Sequence, residues 1–174
     1  MSERSVMISV HPRWCGDIAE LIKDLEIRKT IPKLKPPFTV YIYCTRSVAT
    51  GYWIGHKGAY VAERARSVYD TCGNGRVIGR FVCDRIYRYT TRTDGLIQCD
   101  IDTDELLRRS CLSLRELIEY EAGGGIRKRM DLNRRKGLWA WQISDLQLYV
   151  KPKFLENFGL KQPPQSWGYV KEVV

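Results

Sequence analysis

Ala19-Glu20-Leu21-Ile22-Lys23-Asp24-Leu25-Glu26-Ile27-Arg28-Lys29 changes period in its middle, and that change organises the reading of the chain. Upstream, apolar residues at Trp14, Ile18, Leu21, Ile22 and Leu25 recur at helical spacing. From Asp24 the pattern alternates. Leu25 and Ile27 point to one face of a strand, and Asp24, Glu26 and Arg28 to the other. Lys23 stands at the junction, so a lysine, a glutamate and an arginine meet at a helix-to-strand corner on elements that hold side chains firmly. The competing reading is an ion pair between Glu26 and Arg28 on an exposed sheet face.

The chain has 174 residues, of which 44% are hydrophobic, enough for one domain, 1–174, with its own core. No apolar run reaches membrane-spanning length, and Met1 to Val10 carries no charged-then-apolar signal region. A soluble, cytoplasmic protein with no membrane contact is expected. Net charge is +9 and the pI about 9.3, which points to a polyanionic partner, most simply nucleic acid. More than half of that excess lies between Ile126 and Lys136, where Arg127, Lys128, Arg129, Arg134, Arg135 and Lys136 face one acid, Asp131. This segment is either a solvated loop or a grip on phosphates. The six cysteines (15, 44, 72, 83, 99 and 111) form no Cys-x-x-Cys pair, and the only histidines are His11 and His56. No metal site, cofactor or disulfide framework is expected from that material. Cys44 and Cys83 sit in apolar runs and read as core.

In chain order, Val6–Val10 reads as a strand, Pro12 opens a helix over Trp14–Lys23 with Trp14 on its packed face, and Leu25–Lys29 is a second strand. Phe38–Cys44 is a strong strand. Thr45–Gly75 reads as an insertion with a helix around Tyr60–Tyr69. Gly55-His56-Lys57-Gly58 lacks the spacing of a phosphate loop. Arg76–Thr90 is expected to be one long strand bending at Gly79. Asp102 opens a short helix to Arg109. Ser113 with Glu116 forms a capping box for Leu114–Glu121, which stops at Gly123-Gly124-Gly125. A second insertion runs over about 122–137. Leu138–Val150 is a strand pair or one long strand, Lys151–Gly159 holds a short helix, and a last strand ends the chain. The irregular mixing of strands and short helices predicts an α+β fold, a mixed β-barrel with a ligand site at its mouth, and not a doubly wound sheet.

The stretches Ile8-Ser9-Val10-His11-Pro12-Arg13-Trp14 and Ile22 to Lys29 resemble the opening of ASCH domains, members of the PUA-like superfamily with a Gly-x-Lys-x-x-Glu-x-Arg motif. Lys23, Glu26 and Arg28 match its charged residues, and its glycine falls at Leu21. Trp141-Gln142-Ile143-Ser144-Asp145-Leu146 and Pro163-Pro164-Gln165-Ser166-Trp167 look like a branch found in bacterial and phage genomes. The resemblance implies a PUA-like barrel with flanking short helices and a cleft lined by the Lys-Glu-Arg motif. It implies binding of RNA or modified nucleotides. Some ASCH proteins are nucleases, and some small members are amidohydrolases that use lysine, threonine and glutamate. Here Lys23 matches the lysine, Glu26 stands at the threonine position, and Asp84 is the one acid in the strand expected to give the second carboxylate.

The first functional reading is therefore RNA or nucleotide binding. Five Trp and ten Tyr supply material for base stacking. Tyr43, Trp141 and Trp167 are candidate platforms beside Ser166, each also readable as core. Arg28 and Lys29 are candidates for phosphate and Glu26 for a base edge. The second reading is a ribonuclease or amidohydrolase with Lys23, Glu26 and Asp84 as catalytic candidates. The third is a protein-interaction module docking through the basic loop. Sequence leaves open whether the cleft is catalytic.

Overall fold

The computed structural model describes residues 4–46, 52–54, 59–61, 73–92, 94, 96–123 and 136–171, with 52–54 and 59–61 as backbone. Strand β1 (Arg4–Val10) leads into helix α1 (Pro12–Ala19), and β2 (Leu25–Arg28) and β3 (Phe38–Cys44) follow. A small hairpin pairs β4 (Tyr52–Ile54) with β5 (Ala59–Val61). Then come β6 (Arg76–Cys83), β7 (Ile86–Thr91), β8 (Ile97–Cys99), α2 (Thr103–Ser110) and α3 (Leu114–Ala122). The chain closes with β9 (Leu138–Gln142), β10 (Ser144–Lys153), a 3-10 turn at Leu155–Phe158 and β11 (Trp167–Lys171).

Five strands form one sheet in the order β10-β6-β3-β1-β11, and four form a second in the order β2-β9-β7-β8. The β1–β3 pair is parallel and the other ladders are antiparallel. The parallel pair follows from the crossover that carries α1 and β2, since parallel neighbours need a long connection. The two sheets meet through β9. Its period of two sends Leu138 and Ala140 into a cluster with Leu25, Ile27, Leu106 and Leu117 under α2 and α3. Trp141 goes the other way, into the cluster of Val6, Ile8, Val40 and Phe81, edge-on to Phe38 at 5.9 Å.

Local signals and structure agree at the helix ends. Pro12 stands in the first turn of α1. The Ser113 hydroxyl accepts from the Glu116 N–H, and the Glu116 carboxylate accepts from the Ser113 N–H, completing the capping box. Gly123 closes α3 with φ of 76°. Helix α1 ends earlier than its apolar pattern suggests, at Ala19. The helix expected over Tyr60–Tyr69 lies mostly outside the described residues, and Tyr60 itself is in β5.

Two expectations change. Arg76–Thr90 is not one strand. It breaks at Asp84-Arg85, because Cys83 still pairs with Phe38 in the first sheet while Ile86 pairs with Trp141 in the second. Beside Gly79 the register shifts against both neighbours, β3 and β10. Gly79 is needed for another reason: a Cβ there would lie 2.5 Å from the Gln147 carbonyl oxygen of β10. The second change concerns closure. The fold is α+β, but the sheets do not close into a barrel. Edges β2 and β11 approach each other and are joined by side chains. Arg28 Nη1 donates to the Ser166 carbonyl at 3.2 Å, and Trp167 Nε1 donates to Thr30 Oγ1 at 2.8 Å. At this edge the two sheets are tied by side-chain bonds where a backbone ladder would otherwise run.

Candidate functional site

The corner at residues 20–23 is a Schellman motif. Leu21 N–H donates to the Ile18 carbonyl at 3.0 Å and Ile22 N–H to the Asp17 carbonyl at 2.9 Å. Lys23 N–H also donates to Asp17. The motif requires a left-handed residue after the cap, and Leu21 supplies it at φ of 60°, with its side chain exposed. That is the conformation a glycine would adopt without strain.

Out of this turn Lys23 points inward and is 3% exposed. Its ammonium donates to the carbonyls of Leu25 and Ser110, each at 2.8 Å, and lies 3.4 Å from Glu26 Oε2. Two carbonyls take two of its protons, and Glu26 faces it as an ion-pair partner. Glu26 Oε1 takes Arg28 Nη2 at 2.9 Å, and the same Nη2 donates to the Ser9 carbonyl at 2.8 Å. Arg28 Nη1 reaches the carbonyl and hydroxyl of Ser166. Arg28 Nε–H is buried with no partner among the described residues. The alternation of Leu25/Ile27 against Glu26/Arg28 is therefore present, but the charged face is not an exposed sheet surface. All four residues of β2 are buried. A pair of cations around one carboxylate is held on two edges at once, which compensates the desolvation of each charge.

Above this set lies a pocket of about 540 Å³, within the range typical of small-ligand sites. Lys23, Glu26 and Arg28 line it together with Trp14, Tyr120 and Ser166. Trp14 carries the Arg13 guanidinium 4.5 Å and the Lys23 ammonium 5.3 Å from its ring centre. Tyr120 comes from α3, with Lys29 Nζ 4.9 Å over its ring. Burial pushes the Tyr120 phenol up; the Arg28 guanidinium opposes this and the Glu26 carboxylate adds to it. Glu116, one helical turn before Tyr120, also lines the pocket, its carboxyl held low by the Ser113 backbone and hydroxyl. Buried beneath, Cys15 is pushed well above the ordinary thiol range by desolvation and the neighbouring Cys44 sulfur, so it is a poor nucleophile.

Three solved structures of an ASCH protein from Zymomonas mobilis resemble this chain. The first covers 97% of this chain and 88% of its own, at TM-score 0.56 and 19% identity. A tyrosine-to-phenylalanine mutant of that protein matches at TM-score 0.51 and 20% identity, covering 97% of this chain and 91% of its own. A serine-to-alanine mutant matches at 0.52 and 20%, covering 99% and 92%. The fold is an ASCH fold. No family model and no curated protein matches the sequence.

Within this ASCH fold the sequence candidates separate. Lys23, Glu26, Arg28 and Ser166 share the pocket. Lys29 is exposed beside Tyr120. Tyr43, 2% exposed, lines a neighbouring pocket instead. Trp141 is not a platform: it is fully enclosed between Phe38 and Trp167, so no base could reach its face. Trp167 packs against Trp141 and Tyr169 and lines neither pocket. Asp84 is exposed at the β6–β7 corner and does not line the pocket, so Lys23 and Glu26 lack it as a companion. Burial raises the adjacent Cys83 thiol to about 12. Of the basic segment only Lys136 is described, and it is exposed; Arg127, Lys128, Arg129, Arg134 and Arg135 lie outside the described residues. Among the described residues no cluster of His, Cys, Asp and Glu has the form of a metal site, and no helix is long and apolar enough to cross a membrane. Trp14 and Tyr120 escaped the sequence reading. The first looked like ordinary helix packing. The second was legible only as the partner of Glu116 at a four-residue spacing on one helix face.

Proposed function

We propose that this chain binds RNA or a modified nucleotide in the pocket floored by Lys23, Glu26 and Arg28. The observation that carries the reading is the meeting of that hydrogen-bonded floor with the rings of Trp14 and Tyr120 in one cavity. Unpaired bases are recognised by ring stacking together with fixed polar groups. The net charge of +9 draws a polyanion towards it. The ASCH fold, as a PUA-like fold, favours the same class of ligand.

The charged floor works mainly as a preorganised polar surface. Arg28 spends Nη1 and Nη2 inside the protein, so Glu26 keeps a fixed orientation towards the cavity and offers a base edge its remaining acceptor capacity. The hydrolytic alternative gains no support from Lys23. Its Nζ is tied to two carbonyls and paired with Glu26, a set of contacts that suits a positioned structural cation. Domain organisation follows the same proposal: one ASCH unit with insertions at about 45–75 and 122–137.

Filter binding with single-stranded RNA tests the reading. Tyr120→Ala is expected to weaken binding by roughly tenfold, the worth of one stacked base. Lys153→Ala, at the end of β10 on the opposite edge of the first sheet from β11, should change it about twofold or less. Equal effects from the two substitutions would overturn the pocket assignment.

A further inference from the structure

The cavity that holds Tyr43 is the same size as the first, about 560 Å³, and the two share a wall made by Ser9, Thr45 and Gln165. That wall is firmly built. Ser9 N–H donates to the Ser166 carbonyl at 2.9 Å, Ser9 Oγ donates to the Pro164 carbonyl, and Arg28 holds Ser166 from the first pocket. The segment 163–166 is thus pinned to β1 as a low ridge with a pocket on each side.

The far pocket is prepared for an anion beside an apolar surface. Arg46 lies flat across Gly75, where even a Cβ would come within 2.9 Å of its side chain. Burial pushes the Tyr43 phenol up and the nearby Arg46 guanidinium pulls it down. Lys161 adds a second cation to the lining, and Glu156 is the one carboxylate among its described residues. Phe154 contributes a half-exposed ring, with the Arg76 guanidinium 3.8 Å from its centre. Two cations against one acid among the described residues, an arginine side chain laid over Gly75 and a ring match a phosphate with its attached nucleoside.

Resting on the nucleotide reading of the first pocket, we propose that the second pocket takes the adjacent nucleotide of a single strand. The strand crosses the Ser9–Gln165 ridge, with its linking phosphate facing Arg46 and Lys161. The site is then a two-nucleotide groove, and its ligand is an oligomer in preference to a mononucleotide.

The test compares ribonucleoside monophosphates with single-stranded RNA oligomers by fluorescence anisotropy and competition, across a salt series. The wild type should bind oligomers at least about tenfold more tightly than monophosphates. The double variant Arg46→Gln, Lys161→Gln should keep its monophosphate affinity and lose that advantage. Its log–log salt slope should fall by about 1.4, which is two contacts at roughly 0.7 each on a single strand. Oligomer affinity and slope unchanged in the variant would overturn the second pocket while leaving the first intact. Monophosphate and oligomer binding equally in the wild type would do the same. A wild type that binds neither would overturn the nucleotide reading itself, and the groove with it.

Discussion

Substituting Leu21 asks whether the corner that delivers Lys23 is built as described. A left-handed backbone costs a residue with a Cβ roughly 1–2 kcal/mol. Glycine removes that strain but returns about 0.5–1 kcal/mol through the greater entropy of its unfolded chain. The Leu21 side chain is 73% exposed, so little burial is lost with it. Leu21→Gly should therefore stabilise the protein by up to about 1 kcal/mol. For a chain of 174 residues that is a rise in Tm of at most roughly 2–4 °C. Leu21→Val should go the other way by about 1 kcal/mol or more, because a β-branched side chain is poorly tolerated at positive φ. Thermal unfolding followed by circular dichroism gives the order Gly above Leu above Val. The control is built in: were residue 21 extended, valine would be the best of the three and glycine the worst. Valine at or above leucine would refute the left-handed corner and the entry it gives to Lys23.

Glu26→Gln keeps the shape but turns an amide donor towards Lys23 or Arg28, leaving buried charge uncompensated. A loss of about 3–5 kcal/mol is expected by urea denaturation, and a loss under about 1 kcal/mol would mark the set as a loose surface pair. Gly79→Ala should cost about 1–3 kcal/mol in the same assay through its clash with the Gln147 carbonyl; no loss would mean β10 lies farther away. Ser113→Ala should cost about 1 kcal/mol at neutral pH. Because Ser113 holds the folded Glu116 carboxyl below its ordinary value, the stability this adds is present above the usual glutamate range. The share carried by the Ser113 hydroxyl on that carboxylate is lost as pH falls through the folded value. The gap between wild type and variant should therefore narrow in acid to what the Oγ cap on the Glu116 N–H contributes. A difference that stays constant with pH would remove Glu116 from the effect.

What could be read from the chain is local. The alternation of Leu25 and Ile27 against Glu26 and Arg28, the Ser113 box and the Gly123 stop each depend on residues a few positions apart, and each is present. The burial of the charged face was not legible, because the segment leading into β11, about 140 residues downstream, covers Arg28 through Ser166. The open sheets were not legible either, because an irregular mix of strands and helices does not say which edge strands pair. Trp141 shows the limit for aromatics. Strand propensity places it on β9, while only the packing of the two sheets decides that its ring faces Phe38 and not solvent. The loss of the motif glycine at Leu21 is the converse case. The hydrogen bonds of the Schellman turn hold the backbone even though the residue that suits it best is absent.

The five tryptophans make the pocket observable one indole at a time. A titration of the 15N-labelled protein with single-stranded RNA, read from the indole N–H signals, tests the central claim most directly. The Trp14 signal is expected to move in a saturable way while the enclosed Trp141 signal stays in place. Binding that shifts other resonances and leaves Trp14 untouched would contradict a nucleotide site on the Lys23–Glu26–Arg28 floor.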